Sequence, residues 1–257
     1  MMLERRLGDL AQDGAALAFS GGVDSTLLLA LLARTEGRVF AVTFSTPWQP
    51  AHDIDNARKL AETLGVLHRV IFVDLTTDPR LQHNPRNRCY LCKKVLFGEL
   101  RRFADREKLP HLIDGTNADD LNEHRPGLLA LQELNVISPL AELGIGKSEV
   151  RRRASELSLT VSDRPAAPCL ATRFPYGTEL TGELLRRVEL GEQLLRELGF
   201  ASLRLRLHEN VARIELPPHD FAEAMRLQKK ITAGLKSLGC KYITLDLEGL
   251  RSGSMDE

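Results

Sequence analysis

Along the first part of the chain, short apolar runs alternate with segments whose apolar residues recur at helical spacing. Residues 15–19, 38–44, 68–74 and 111–114 are apolar runs of strand length, and residues 137–139 read as a short last strand. Between them, residues 26–34, 53–64 and 93–108 carry the polar and apolar spacing of helices, and 147–158 reads as a basic helix. Residues 75–88 break the rhythm with Pro79, Pro85 and several polar side chains, and a loop is expected there. Strand alternating with helix predicts an α/β fold in which a parallel sheet is flanked by helices.

The pattern then changes. Residues 162–177 hold Pro165, Pro168 and Pro175, a density that disfavours helix and sheet interiors and predicts an extended linker. Beyond it come a helix over 179–198, alternating strands at 202–207 and 212–216, a helix over 220–235, and a last strand at 242–247. That order describes a smaller C-terminal α+β unit. The expected domains are 1–165 and 166–257.

Charge narrows the choice of partner. Lys plus Arg equals Asp plus Glu at 35 each, so the formal charge is zero. Proteins that live on nucleic acid usually carry a basic excess, because phosphate contacts supply most of their affinity. A large RNA substrate is therefore disfavoured, whereas a small anionic ligand needs only a few arginines. Residues 1–13 are charged and polar with no signal-like pattern, and no apolar run has the length of a membrane span. The expectation is a cytoplasmic protein without a membrane partner. Its four cysteines are then metal ligands, catalytic groups or buried thiols rather than disulfides.

The string Ser20-Gly21-Gly22-Val23-Asp24-Ser25 lies between the first strand and the first helix. Gly21 and Gly22 let the backbone approach a ligand closely. The amides that follow belong to a helix N-terminus, which favours phosphate. Ser20 and Ser25 add hydroxyl donors, and Asp24 can hold Mg2+ against the phosphates. The plain alternative is a strand–helix turn with Asp24 or Ser25 as N-cap. A second turn, Asp114-Gly115-Thr116-Asn117-Ala118-Asp119-Asp120, follows the fourth strand, where ligands bind in such sheets. Gly115, Thr116 and Asn117 are candidates for a second wall of the nucleotide site. Ser45, ending the second strand, is a candidate for reaching the adenine.

The first string resembles the PP-loop of the ATP pyrophosphatases, among them NAD synthetase, GMP synthetase and the tRNA thiolases. The resemblance implies that ATP is cleaved between the α- and β-phosphates. A substrate oxygen attacks the α-phosphorus and becomes an adenylate, while Mg2+ and the loop amides stabilise the departing pyrophosphate.

Three further stretches, in order along nearly the whole chain, resemble the LarE family. They are the second turn with Arg125-Pro126-Gly127 after it, Pro168-Cys169-Leu170-Ala171-Thr172-Arg173-Phe174-Pro175-Tyr176-Gly177, and the tail Leu250-Arg251-Ser252-Gly253-Ser254-Met255-Asp256-Glu257. Members insert sulfur into a pyridinium dicarboxylate mononucleotide on the way to the nickel-pincer nucleotide cofactor. The resemblance implies that a substrate carboxylate is adenylated and that sulfur held by Cys169 displaces AMP, giving a thiocarboxylate. It adds Arg125 to the nucleotide site and assigns Arg204 and Arg206 to the substrate phosphate. Those two arginines lie two apart in a strand and so share a face; a solvated edge is the alternative.

Cys169 also has a case of its own. A proline-rich linker with Arg164 and Arg173 nearby suggests an exposed, electropositive thiol, against the alternative of a small buried hydrophobe. Glu192 and Glu223 are candidates for a metal site at a subunit contact of a homo-oligomer, against ordinary helix-surface carboxylates. Arg151, Arg152 and Arg153 are expected to be solvated and Cys240 buried. Trp48 reads either as a ligand-stacking ring or as a buried anchor.

Cys89-Tyr90-Leu91-Cys92 places two thiols at the start of a predicted helix. A redox disulfide, half a zinc site and part of an iron–sulfur cluster compete for this spacing. Structural zinc wants four protein ligands, and only Cys169 offers itself as another. A redox pair would follow a strand closely, and this one follows a long loop. The expectation is a 4Fe–4S cluster on Cys89, Cys92 and Cys169, with one iron left to carry sulfide from a sulfur donor. The LarE resemblance also contains single-cysteine enzymes that sacrifice the cysteine's own sulfur. An iron–sulfur-dependent tRNA thiolase, an amidating synthetase of the NAD or GMP type and a non-catalytic nucleotide-binding protein remain as other readings.

Overall fold

The computed structural model describes residues 2–122, 126–162, 168–251 and 254–255. The chain divides into two compact units, Met1–Leu75 with Asn87–Ala167, and Thr76–Arg86 with Pro168–Glu257.

In the first unit α1 (Met2–Asp13) precedes β1 (Ala15–Ala18), α2 (Val23–Leu32), β2 (Val39–Ser45), α3 (Ala51–Thr63) and β3 (Leu67–Phe72). After them come α4 (Arg88–Arg106), β4 (His111–Ile113), α5 (Gly127–Glu133), α6 (Pro139–Glu142) and α7 (Lys147–Glu156). The strands form one parallel sheet in the order β3-β2-β1-β4. Because successive strand residues face opposite sides, Ala15 and Leu17 of β1 join a core with α1, α2, α3 and α7. Ala16, between them, joins a second core with α4 and α5. Both faces are covered, as a parallel sheet requires.

Two elements differ from the reading of the pattern. The polar-looking start of the chain is helix α1, whose Leu3, Leu7, Leu10 and Ala11 form a buried stripe at helical spacing among the charges. The expected strand at 137–139 shrinks to a single parallel bridge between Ile137 and Ile113. Pro139 lacks the N–H that a ladder needs and opens α6 instead.

The second unit contains α8 (Gly182–Glu197), β5 (Arg204–His208), β6 (Val211–Glu215), α9 (Phe221–Arg226), α10 (Gln228–Ser237) and β7 (Tyr242–Leu245). Thr181 caps α8 by accepting from Leu184 N–H at 3.2 Å. β5 and β6 pair antiparallel, and β6 and β7 parallel. The helix expected over 220–235 arrives in two pieces that break at Leu227.

The loop at 76–86 is tied into this unit. Asn84 is fully buried and its amide donates to the carbonyls of Phe174 and Pro175 at 3.1 and 2.9 Å. The expected extended linker is accordingly shaped from Pro168 onward, with a 3-10 turn at Leu170–Arg173. Residues 163–167, including Arg164, lie outside the described residues. The fold class is as the pattern foretold: a helix-flanked parallel sheet with a small C-terminal α+β unit.

Candidate functional site

Strand order places a cleft. The chain runs outward from β1 to β2 and β3, then returns to put β4 on the other side of β1. At such a switch the loops leaving β1 and β4 diverge, and ligands bind in the crevice beyond the carboxyl ends. A cleft of about 270 Å³ opens there, lined among others by Ser20, Asp24, Ser25, Asp114, Gly115 and Thr116.

The loop after β1 is built around Gly21, whose φ of +72° only glycine adopts without strain. Gly22 is the N-cap residue of α2, no side chain caps that end, and Asp24 and Ser25 of its first turn line the cleft, where a helix N-terminus suits phosphate. Ser25 is buried and organises the turn. Its Oγ accepts from Ser20 N–H at 3.3 Å, lies 3.2 Å from Ser20 Oγ and donates to Gly22 O at 3.2 Å.

The loop after β4 meets this turn directly. A Cβ on Gly115 would stand 3.0 Å from Ser25 N, so the absent side chain is what lets the two loops touch. Thr116 N–H and Oγ1 both donate to the Asp114 carboxylate, at 3.2 and 2.5 Å. Ser138 Oγ donates to the same carboxylate at 2.6 Å. Asn117 Oδ1 accepts from Asp119 N–H at 2.9 Å, and its Nδ2 donates to Asp24 Oδ1 at 3.1 Å. The other oxygen of Asp24 pairs with the Lys147 ammonium.

Lys147, which the pattern places only in a basic helix, is joined to the site by the Asp24 pair. It opens α7, and its backbone N–H donates to Asp119 Oδ2 at 2.7 Å. Gly146 before it leaves room for that carboxylate, since a Cβ would lie 2.9 Å from Asp119 Oδ1. Lys93, Phe97 and Gln49 also line the cleft and were not foreseen. Ser45 does not line it, although its neighbour Phe44 does. Arg125 lies outside the described residues. Trp48 is a buried anchor rather than an open stacking surface.

In the second unit the arginines divide. Arg206 is 2% exposed and its guanidinium is occupied. It donates twice to Glu215 at 3.0 Å, to Thr172 O at 2.6 Å and to Ser254 Oγ at 3.0 Å. The expectation that Arg206 binds a ligand phosphate is not met, because Glu215 already takes the fork. Arg204 donates to Arg251 O at 3.1 Å, and among the described residues it forms no ion pair. Burial lowers its pKa, and the neighbouring charges of Arg206 and Arg173 lower it further. An anion placed there would relieve that positive crowding.

Two more expectations are corrected. Glu192 is not a helix-surface carboxylate: it is 1% exposed and pairs with Arg173 at 2.7 Å. Arg173 is therefore held by Glu192, which it shares with Arg196. Glu223 is at the surface with Arg226, and Cys240 is buried. Cys89 and Cys92 occupy the first turn of α4, the former exposed and the latter half-buried, and none of the four cysteines is in a disulfide. Among the described residues no three His, Cys, Asp or Glu side chains stand together as a metal site. No described helix is long and apolar enough to cross a membrane.

A helix-flanked parallel sheet with an uncapped SGGVDS turn at its switch point defines an ATP-utilising PP-loop protein. The asparagine synthase family matches residues 9–78. The pyridinium-3,5-bisthiocarboxylic acid mononucleotide synthase of Lactiplantibacillus plantarum is 37% identical over 243 residues, covering 94% of this chain and 88% of that protein. An uncharacterized protein of Synechocystis is 40% identical over 99% of this chain and 98% of its own. A tRNA-specific 2-thiouridylase of Trichlorobacter lovleyi is 30% identical over only 58% of this chain and 51% of that enzyme. The chain belongs to the LarE family.

Proposed function

We propose that the protein is an ATP-dependent sulfur transferase acting on pyridinium-3,5-biscarboxylate mononucleotide. A substrate carboxylate oxygen attacks the α-phosphorus of ATP, the α–β bridge breaks, and pyrophosphate leaves. Sulfide-level sulfur (HS⁻ from a donor) then attacks the acyl carbon, the acyl–oxygen bond breaks and AMP departs, leaving a thiocarboxylate for nickel-pincer nucleotide synthesis. Were the Cys169 thiolate itself the attacking sulfur, the product would be a thioester, freed as thiocarboxylate only by breaking the Cys169 Cβ–Sγ bond to leave dehydroalanine. The observation that carries this reading is the switch-point cleft, lined by Asp24 and Ser25 of the first turn of a helix whose N-terminus no side chain caps, with the Asp24 carboxylate paired to the Lys147 ammonium.

In this reading Ser20, Gly21, Gly22 and Ser25 hold the phosphates, and Gly115, Thr116 and Asn117 form the opposing wall. Asp24, a part-exposed carboxylate in that cleft, suits Mg2+, which would offset charge on the pyrophosphate. Lys147, relieved of Asp24 by the ion, would face the same phosphates. Arg204 is the proposed contact for the substrate phosphate and Cys169 the proposed sulfur carrier. Cytoplasmic location and a homo-oligomeric state belong to the proposal as well.

The three-cysteine iron–sulfur type is a further part of it. Cys89 and Cys92 are one helical turn apart with Cys89 exposed, which suits two thiolate ligands. A third ligand, Cys169, would have to join them, and no assembled trio stands among the described residues. No step above is routed through a cluster.

Incubation with ATP, Mg2+, sulfide and the mononucleotide should release AMP and pyrophosphate together with the thiocarboxylate. ADP and phosphate as products, or thiolated tRNA in place of the mononucleotide product, would overturn the reading. Anaerobically prepared protein should contain about four irons per chain. A single turnover that converts Cys169 to dehydroalanine in iron-loaded protein would remove the cluster from the proposal.

A further inference from the structure

The backbone around Cys169 is gripped from both sides. Arg173 is 5% exposed. Its Nη1 donates to Pro168 O, just before the cysteine, at 3.2 Å, and to Thr172 Oγ1 at 2.8 Å. The Thr172 hydroxyl in turn donates to Cys169 O at 2.8 Å, and Thr172 N–H reaches that carbonyl at 3.1 Å. Arg206 holds the Thr172 carbonyl from the other direction at 2.6 Å.

Glu192 anchors this arrangement from beneath. Its Oε1 accepts from Arg173 Nε at 2.7 Å and from Leu205 N–H at 3.2 Å. Its Oε2 accepts from Arg173 Nη2 at 3.3 Å and from Arg196 Nη2 at 2.9 Å. A buried ion pair is poor value as mere stabilisation, since apolar side chains of similar volume often do as well or better. What apolar side chains would not provide is a guanidinium whose Nε and Nη2 are fixed on Glu192 while its Nη1 reaches one carbonyl, Pro168 O, and one hydroxyl, Thr172 Oγ1, on either side of Cys169 in the chain.

We propose that Thr172 and Arg173, backed by Glu192, are positioning residues that hold the Cys169 backbone so that its sulfur is presented in one orientation. The proposal rests on Cys169 being the sulfur carrier, and it adds the residues that aim it. Thr172 is the link through which Arg173 acts on Cys169. Removing its hydroxyl while keeping its shape loosens the cysteine without emptying a buried charge.

The test compares Thr172→Val with Thr172→Ser in the full-length protein, following three quantities. In Thr172→Val, thiocarboxylate formation should fall by about 10²-fold, the scale of a reacting group misplaced by an ångström. Pyrophosphate release and thermal stability should stay near those of the parent. Thr172→Ser keeps the hydroxyl and should restore thiocarboxylate formation. The iodoacetamide alkylation rate of Cys169, resolved by peptide mass spectrometry, should change in the valine variant and return in the serine variant, while that of Cys92 stays constant. Parallel loss of both activities, no loss of either, or an unchanged Cys169 alkylation rate would overturn the clamp. Cys169→Ala separates the two ideas: if it still forms thiocarboxylate, the sulfur-carrier reading fails, and the alkylation rates alone judge the clamp.

Discussion

The two units use charge in opposite ways. At the cleft of the first unit, Asp24 and Lys147 form a single part-exposed pair, the end of α2 has no side-chain cap, and the Ser20 and Ser25 hydroxyls bond to one another. These are groups that a ligand can rearrange at small cost, because a part-exposed ion pair contributes little to stability. In the second unit Arg173 with Glu192 and Arg206 with Glu215 are buried pairs whose remaining donors and acceptors are filled by backbone and by Thr172, Arg196, Arg213 and Ser254. Such pairs resist rearrangement, since breaking one strands a buried charge. The cleft is built to exchange partners and the second unit to keep them.

The largest expected effect tests the second half of that contrast. Arg206→Ala leaves the buried Glu215 with only Arg213 and Ser254 as partners and should cost about 3 kcal/mol of stability, the low end for a broken buried pair, read by urea or thermal unfolding. The acid limb should change too. Burial raises the Glu215 pKa, but hydrogen bonds from Arg206 and Ser254 and the charges of Arg206 and Arg213 outweigh it, so the net shift is below the ordinary 4.5. A depressed carboxyl stabilises the fold above its unfolded pKa, and that contribution is lost as pH falls through the folded value. The parent should therefore lose stability as pH drops below 4.5, and the variant should lose less over the same range. Arg204→Ala should show the reverse split. Unfolding should be nearly unchanged, with binding of the mononucleotide weakened by about 1.5–3 kcal/mol and KM for ATP unmoved. Equal behaviour of the two variants would erase the distinction between them.

Asp24→Asn tests the first half. Pyrophosphate release should fall by about 10²–10³-fold, the loss expected when one charge-stabilising group is removed from a preorganised site. The unfolding midpoint should barely move, because the lost pair with Lys147 is part-exposed. Labelled ATP and a melting curve on the same sample decide it. Normal pyrophosphate release, or destabilisation like that of Arg206→Ala, would break the comparison.

What was legible in the sequence follows the same division. The PP-loop and the turn after β4 are contiguous strings, and strand alternation alone put both at one end of the sheet. Lys147 was not legible as a site residue, because its partner Asp24 is far away in sequence and a lysine opening a helix is ordinary. The buried pairs were legible even less. Arg173 meets Glu192 across 19 positions and Ser254 meets Glu215 across 39, distances over which no periodicity links them. Arg204 and Arg206 look equivalent in the sequence because they share a strand face. What separates them is that Arg206, opposite Arg213 in the ladder and only diagonal to Glu215, nonetheless takes the Glu215 carboxylate and Ser254, whereas Arg204, directly opposite Glu215, donates to Arg251 O. Helix α1 was missed for a different reason: its charges mask a four-residue apolar stripe.

The smallest expected effect is the finest test, because it adds one methyl group to each region. At Gly115 a Cβ would lie 3.0 Å from Ser25 N and 3.3 Å from Asp24 Cβ. Ser25 N belongs to the backbone of the phosphate turn, so relief must come from moving the turn by a few tenths of an ångström. Gly115→Ala should raise KM for ATP by about fivefold, equivalent to roughly 1 kcal/mol, with little change in the unfolding midpoint. At Gly191, in the middle of α8, the nearest atom to a Cβ would be Leu205 Cδ2 at 2.3 Å, followed by Leu235 Cδ2 at 3.2 Å. Both are ends of flexible side chains. The overpacking cost of about 1–3 kcal/mol is partly offset by the helix preference for alanine over glycine, about 0.8–1 kcal/mol. Gly191→Ala should therefore register weakly in stability and leave KM for ATP where it was. If Gly115→Ala lowered the midpoint and spared ATP, the turn after β4 would be packing rather than part of the nucleotide site, and the cleft's apparent readiness to exchange partners would lose its clearest support.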